Sequence, residues 1–512
     1  MRKNARLFLA LILALLLISG LTVSLSSPVQ AESKTFTYAI GGDTGNTINP
    51  MTADDRWSLM VTHLTFSPAY YINPDGSVTY ILAKSFEASE DGLSYTMKLK
   101  DNLKWSDGEP LTADDIVYTY DEINKKGDSM FIDGKTIELT KEDDHTVIFK
   151  LPAVSASVFE MLVSETGVLP KHFFEKRNGF DVNMLEEELV GSGPYVLKKY
   201  ETGQYLKFEK NPNYANEPAK IDTVILRIIE SPDTASLALQ NGEIDAWIGL
   251  PDMLDSFKDN EAFHINNYSE GRVAYLRLNP MTEAMQNKDY RAGLLYALDR
   301  NEIMLAGYTD PDFFKLSYSF LPSSNEYYSE DLEKYDQDLE KARKLTADGP
   351  RDLKLAYIEE DKVQANQVLA IQAQLKKIDI NVELVGMNQA AYMSAAYDNE
   401  NKDYDILMGG YVMGVDPNTF SMLFVQGQMN MMNYHNETVD KLFNEGNATL
   451  DKEKRHEIYN ELQKVIADEA IFYPFGGNLR TLVTSARVGG LEDAIFAPVY
   501  TFADWSKLTI SD

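Results

Sequence analysis

Hydrophobic positions along the chain switch between a period of two and a period near 3.6, and each switch predicts where strand gives way to helix. Residues 35–40 alternate as a strand and run into the polar loop Gly41-Gly42-Asp43-Thr44-Gly45-Asn46. Asn73-Pro74-Asp75-Gly76 reads as a hairpin turn, because proline presets φ and glycine admits positive φ. From 83 to 120 the order is polar turn, alternating strand, Asp-Gly turn, a loop bearing a proline, and a helix. Thr112 opens that helix with Asp115 three residues on, the spacing of a capping box. Gly191-Ser192-Gly193-Pro194-Tyr195 opens a hairpin with strands at 195–200 and 204–209. A strand at 223–229, a helix at 233–240 stopped by Gly242 and a strand at 244–248 follow with βαβ spacing. Beyond Asn279 helices and strands alternate: helices at 288–298 and 363–377, an alternating strand at 380–385 and a buried strand at 404–408. A long helix at 452–467 puts Ile458, Leu462, Val465 and Ile466 on one face, a stripe read as core. No fixed repeat period occurs, which excludes a solenoid. The expected class is α/β, in more than one domain for 512 residues.

The first residues change the picture of where the chain works. Arg2, Lys3 and Arg6 precede an apolar block at 7–18, and Val29-Gln30-Ala31 offers small residues where a signal peptidase cuts. The block is about a dozen residues, short of the roughly 20 that span a bilayer. A cleaved leader at 1–31 and a mature protein from Glu32 in the periplasm or outside the cell are expected. The absence of cysteine excludes disulfides, thiolate metal sites and a lipid-modified cysteine anchor. With 79 acidic against 48 basic residues and a formal charge of −31, the chain repels nucleic acid and anionic lipid, so neither is expected as a partner.

Enzyme signatures are missing. Asp133-Gly134-Lys135-Thr136 ends like a phosphate loop, but Ser129 stands where its first glycine belongs, and a turn is expected instead. No GxSxG or HExxH motif occurs, and the six histidines show no ligand spacing, so no metal or cofactor is expected. Carboxylates are too numerous for any pair to be singled out as acid and base. A secreted hydrolase using two of them is the alternative from a different class.

Several segments, in order, resemble the family 5 extracellular solute-binding proteins of bacteria, the oligopeptide and dipeptide receptors of ABC importers. They are Ser89-Glu90-Asp91-Gly92-Leu93, Trp105-Ser106-Asp107-Gly108-Glu109-Pro110, Leu111-Thr112-Ala113-Asp114-Asp115-Ile116, the Gly191 to Tyr195 stretch, Asn211-Pro212-Asn213-Tyr214, Leu239-Gln240-Asn241-Gly242-Glu243-Ile244-Asp245 and the run 291–300. The resemblance covers essentially the whole mature chain. It implies a two-lobed periplasmic-binding-protein-like (type II) fold with an extra subdomain, closing like a hinge over its ligand. Lobe I is expected at 32–60, 190–278 and 480–512, its additional subdomain at 61–189 and lobe II at 279–479. It further implies a monomeric receptor, not an enzyme, that captures oligopeptides or peptide-like solutes and hands them to membrane permease subunits. A glycoside or metal chelate is the alternative cargo.

The residues expected to face the ligand are Thr44, Gly45 and Asn46 after the first strand, Trp247, the strand exit Gly410, Tyr411, Val412, Met413 and Gly414, and Asn433 and Tyr434 of a Met-rich loop around Met429-Asn430-Met431-Met432. A buried strand that breaks into glycines lets a ligand approach backbone, and thioethers adapt to varied apolar side chains. Packed core is the competing reading of Trp247 and of the Met-rich loop. In the family an Asp near this strand exit meets the free amine of the peptide, and the resemblance places Met413 there. Either another acid serves, for which Asp416 is the candidate although its family counterpart is a structural residue beside the proline, or the ligand has no free amine there. Where dipeptide receptors place an arginine for the ligand carboxylate, this chain has Glu359-Glu360-Asp361, read as a helix start. A short peptide held at both termini is therefore not expected.

Overall fold

The computed structural model describes residues 34–511 apart from 46, 54, 74–75, 127–130, 133–134, 159, 161–165, 178–188, 399 and 426–429. The leader with its cleavage position, Asn46, Ser129 and Met429 lie outside the described residues. Among those described, no helix is long and apolar enough to cross a membrane.

A twelve-stranded sheet runs through the protein. Its first half places the hairpin Tyr195–Glu201 and Tyr205–Lys210 beside Thr223–Ile228, Thr35–Ile40 and Ala246–Gly249. Thr35–Ile40 pairs in parallel with both of its neighbours, so helix Pro232–Gln240 makes a crossover, as the βαβ spacing predicts. Its second half places Arg272–Leu278 beside Ile406–Val412, Asp352–Ile358 and Asn381–Met387. The halves are joined by one long strand, Phe472–Ser485. Its early residues pair with Arg272–Leu278, and its later ones with Ala246–Gly249 and Phe263–Ser269. At 14 residues it reaches about 45 Å. Phe263–Ser269 crosses in the same region, through Glu270 and Gly271, into Arg272–Leu278.

Each half has its own core. Phe36, Tyr38, Leu206, Phe208, Leu226 and Trp505 close the first. Leu276, Leu294, Leu355, Val368, Ile406 and Tyr473 close the second, and a satellite around Phe320, Phe424, Phe443 and Tyr459 covers its other face. A third core, around Trp105, Ile116, Tyr120 and Phe149, belongs to a four-stranded antiparallel sheet with helix Ala113–Lys126. That helix opens as its sequence predicts: Thr112 N–H donates to Asp115 at 2.9 Å, and Asp114 N–H to the Thr112 hydroxyl at 3.3 Å.

Arg272–Leu278 packs in the second core, and Val61, Leu64, Phe66, Leu169, Phe173 and Phe174 belong to the first. One expectation shifts. The stripe of helix Lys452–Asp468 is centred on Tyr459, Leu462 and Ile466 and includes the buried Arg455 and Gln463, while Ile458 lies to its side. Periodicity alone does not place Arg455 and Gln463 in that stripe, because their burial is made possible by partners distant in sequence.

Candidate functional site

The strand Ile406–Val412 carries the site, and it does not end at its glycines. It runs on through Gly409 and Gly410 because both face large side chains of its antiparallel partner. A Cβ at Gly409 would lie 2.5 Å from the Tyr275 ring, and one at Gly410 2.5 Å from the Arg272 guanidinium. On its other edge the strand pairs with Asp352–Ile358 only at Ile406 and Leu407. From Gly409 to Val412 that edge carries no ladder among the described residues, and the Met408 carbonyl accepts from the Tyr392 hydroxyl. Such an edge presents unpaired N–H and C=O groups, and it sits at the carboxyl ends of two parallel strands, where α/β sheets bind ligands.

Two cavities flank the strand's end and share Val412 and Met413. One, of about 430 Å³, lies between the halves. Val412, Met413, Gly414, Val415, Pro322 and Asn325 form one side. His63, Tyr71, Tyr268, Glu270 and the loop 495–500 form the other, and Glu160 reaches in from the subdomain. The second, of about 660 Å³, lies within the second half, between Arg272, Tyr275, Ile358, Glu360, Asp361, Tyr392, Tyr411 and the thioethers of Met393, Met413, Met422 and Met431.

Around His63 the facing wall is aromatic and uncharged. His63 stacks on Tyr500 at 4.4 Å and faces the Ala503 carbonyl at 3.0 Å and the Tyr71 hydroxyl at 3.0 Å. Burial lowers its pKa to about 4, against the opposing pull of that carbonyl, so the imidazole is neutral at pH 7. The loop that carries Tyr500 holds Ile495, Val499 and Thr501 at φ of 53°, 64° and 67°. β-Branched residues in the left-handed region cost roughly 1–3 kcal/mol each and persist where the surroundings over-determine them. Here Tyr268 stacks on Phe496 at 4.9 Å, and Arg56 donates to the Val499 carbonyl at 3.3 Å.

Glu270, at the crossing between halves, is flanked by Arg56 and Arg480, each at 2.6 Å. Burial pushes its carboxyl upward, but the two guanidinium groups outweigh burial and hold it below the usual range. Glu160 accepts from the N–H groups of Val415 and Asp416. Asp416 meets the buried Arg455 at 2.8 and 3.0 Å and caps the turn by accepting from Asn418 N–H at 2.9 Å. It is a structural acid, as its place beside Pro417 suggests. Asp361 caps helix Lys362–Lys376, so the acidic trio does open a helix. No cluster of three or more His, Asp or Glu suited to a metal occurs among the described residues.

The structure gathers Gly410, Tyr411, Val412, Met413 and Gly414 around the two cavities. Val412, 43% exposed, stands free in both. The other expected residues lie elsewhere. Thr44 is buried, its hydroxyl donating to Tyr200 at 3.3 Å, and Gly45 N–H donates to Asp55 at 3.1 Å. Trp247 is core, packed with Phe257, Leu239 and Val483. Asn433 is buried and donates to the Asp398 carbonyl, while Tyr434 accepts from Asn436 at 2.6 Å; neither lines either of these two cavities. His63, Glu160, Glu270, Arg272 and Tyr500 line the cavities without a local signal in the sequence. They lie on separate segments that only the fold brings together.

Known proteins share this fold. The pattern of the bacterial extracellular solute-binding proteins, family 5 Middle, matches residues 77–431. The crystal structure of the ABC transporter substrate binding protein CtaP from Listeria monocytogenes superposes with a TM-score of 0.87 at 35% identity, covering 94% of this chain and 100% of that one. The oligopeptide-binding protein AppA of Bacillus subtilis is 26% identical over 92% of this chain and 94% of its own length. Its structure in complex with a nonapeptide shares the fold, with a TM-score of 0.74 at 22% identity over 93% of this chain and 99% of that one. The halves joined by Phe472–Ser485 are thus the two lobes of a periplasmic-binding-protein fold, and the chain belongs to the bacterial extracellular solute-binding proteins of family 5.

Proposed function

We propose that this protein is the solute receptor of an ABC importer, and that it captures oligopeptides or peptide-like solutes outside the cytoplasmic membrane and delivers them to the permease. The observation that carries the peptide reading is the edge from Gly409 to Val412, without a strand partner and opening onto two cavities. An extended peptide laid along it gains main-chain hydrogen bonds whatever its sequence, and its alternate side chains enter the cavities. Gly410 to Gly414 supply that contact. Met413 offers no charge to a ligand amine, and Asp416 is already paired with Arg455. The peptide's amino terminus is therefore not a required feature.

In this reading lobe I comprises 34–66, 169–271 and 480–511, the subdomain 69–168 and lobe II 272–479. The ligand shifts the population toward the closed arrangement by touching both lobes. The leader is removed after Ala31, and the mature protein works as a monomer without catalysis. A thermal-shift screen with pooled peptides of about two to ten residues, against sugars as the contrast, tests it: stabilisation grows with ligand concentration. Stabilisation by a sugar and by no peptide pool refutes the peptide reading.

A further inference from the structure

Arg272 begins the strand that follows the Glu270-Gly271 crossing. It is half-buried and lines the cavity of lobe II. Its guanidinium makes no hydrogen bond or ion pair with any described residue, whereas Glu270 beside it is taken by Arg56 and Arg480. The two acids on the same cavity wall are committed elsewhere. Asp361 accepts from Val363 and Gln364 N–H at 2.9 and 3.1 Å, and Glu360 from Gln389 N–H at 3.1 Å. A guanidinium is a fork of five donors matched to a carboxylate, and holding one half out of water without a counter-charge is costly. The position is also fitted to it. The guanidinium lies across Gly410, where a Cβ would come within 2.5 Å of its Nη2.

Resting on the receptor reading above, we infer that Arg272 anchors a carboxylate of the bound solute in the lobe II cavity. The group next to that carboxylate meets the thioethers of Met393, Met422 and Met431, which suits an apolar neighbour. A chain terminus and an acidic side chain offer the same chemistry, and the experiment separates them.

The tightest peptide from the screen is prepared as free acid, as C-terminal amide and as an amide carrying one added glutamate, and titrated calorimetrically into wild type, Arg272→Gln, Arg272→Lys and Gly410→Ala. The free acid is expected to bind Arg272→Gln roughly 10- to 100-fold more weakly than wild type. Arg272→Lys recovers part of the loss, and Gly410→Ala loses affinity with the charge intact. The neutral amide binds wild type and Arg272→Gln alike. Affinity restored to wild type alone by the added glutamate assigns the carboxylate to a side chain; its absence assigns it to the terminus. Melting of the unliganded variants controls for folding. Equal affinity of acid and amide for wild type, unchanged in Arg272→Gln, overturns the inference. If no peptide binds at all, the peptide reading fails by itself, and the anchor is tested with succinate and glutarate on the same variants. Thermal stabilisation lost in Arg272→Gln supports it, and equal or absent stabilisation overturns it.

Discussion

Asp416 and Arg455 keep only 11% and 8% of their side chains exposed, so their charges meet almost without water. Removing one partner leaves the other buried and uncompensated, which costs several kcal/mol. Asp416→Asn is expected to lower stability by about 3 kcal/mol in urea denaturation, and Asp416→Asn with Arg455→Met to recover part of it. His63 predicts a pH dependence. Its folded pKa of about 4 lies below the ordinary 6.5, so below 6.5 the unfolded chain binds a proton that the folded one refuses. Its contribution to stability is complete above 6.5 and is lost as pH falls toward 4, by roughly 3 kcal/mol at most. Wild type should therefore lose urea stability between pH 6.5 and 4.5 more steeply than His63→Gln; parallel curves refute the assignment. Glu270 acts in a lower window, because its depressed pKa keeps its contribution until pH falls through the carboxylate range.

At the scale of elements, the strand Ile406–Val412 shows how a partner overrides local sequence. Paired glycines weaken a strand by their own preference, yet Tyr275 and Arg272 require the missing side chains. Gly409→Ala meets the ring carbons of Tyr275, which is held by Phe472 and Tyr411 at 4.8 and 5.5 Å. It is expected to cost about 1–3 kcal/mol by denaturant midpoint. Gly410→Ala meets the far end of a flexible side chain and should cost less. A larger loss at 410 than at 409 contradicts this account. Elements with local signals were legible: the Thr112 start, the 35–40 strand and the helix beginning at Asp361. Trp247 was not, because a tryptophan at a strand's end reads alike whether it faces a groove or, as here, Phe257 and Val483.

For the whole molecule, a polar seam joins the segment around Ser157 to the second half, beside the Glu160 contact with Val415 and Asp416. Ser155 and the Ser157 N–H both donate to the Asn447 side chain at 3.1 Å, the Ala156 N–H donates to the Asn447 carbonyl at 2.7 Å, and Asn418 donates to Ser157 at 3.3 Å. Each such bond contributes about 1 kcal/mol net, enough together to bias a balance between open and closed forms. Asn447→Ala is expected to enlarge the unliganded protein in small-angle scattering and to weaken peptide binding several-fold, with peptide restoring the compact form. Unchanged scattering with unchanged affinity removes the seam from the closure mechanism.

The sequence by itself determined the α/β class, most element positions, the family's motifs and the glycine-rich segment beside the cavities, because periodicity, caps and turn residues act over a few positions. Only the tertiary structure decided which residues share a cavity. His63, Glu160, Glu270, Arg272 and Tyr500 come from distant segments brought together by the sheet and the two strands that cross between lobes. Whether a charge among them is neutralised, as Glu270 is, or left open, as Arg272 is, depends on distances between side chains that no local pattern encodes.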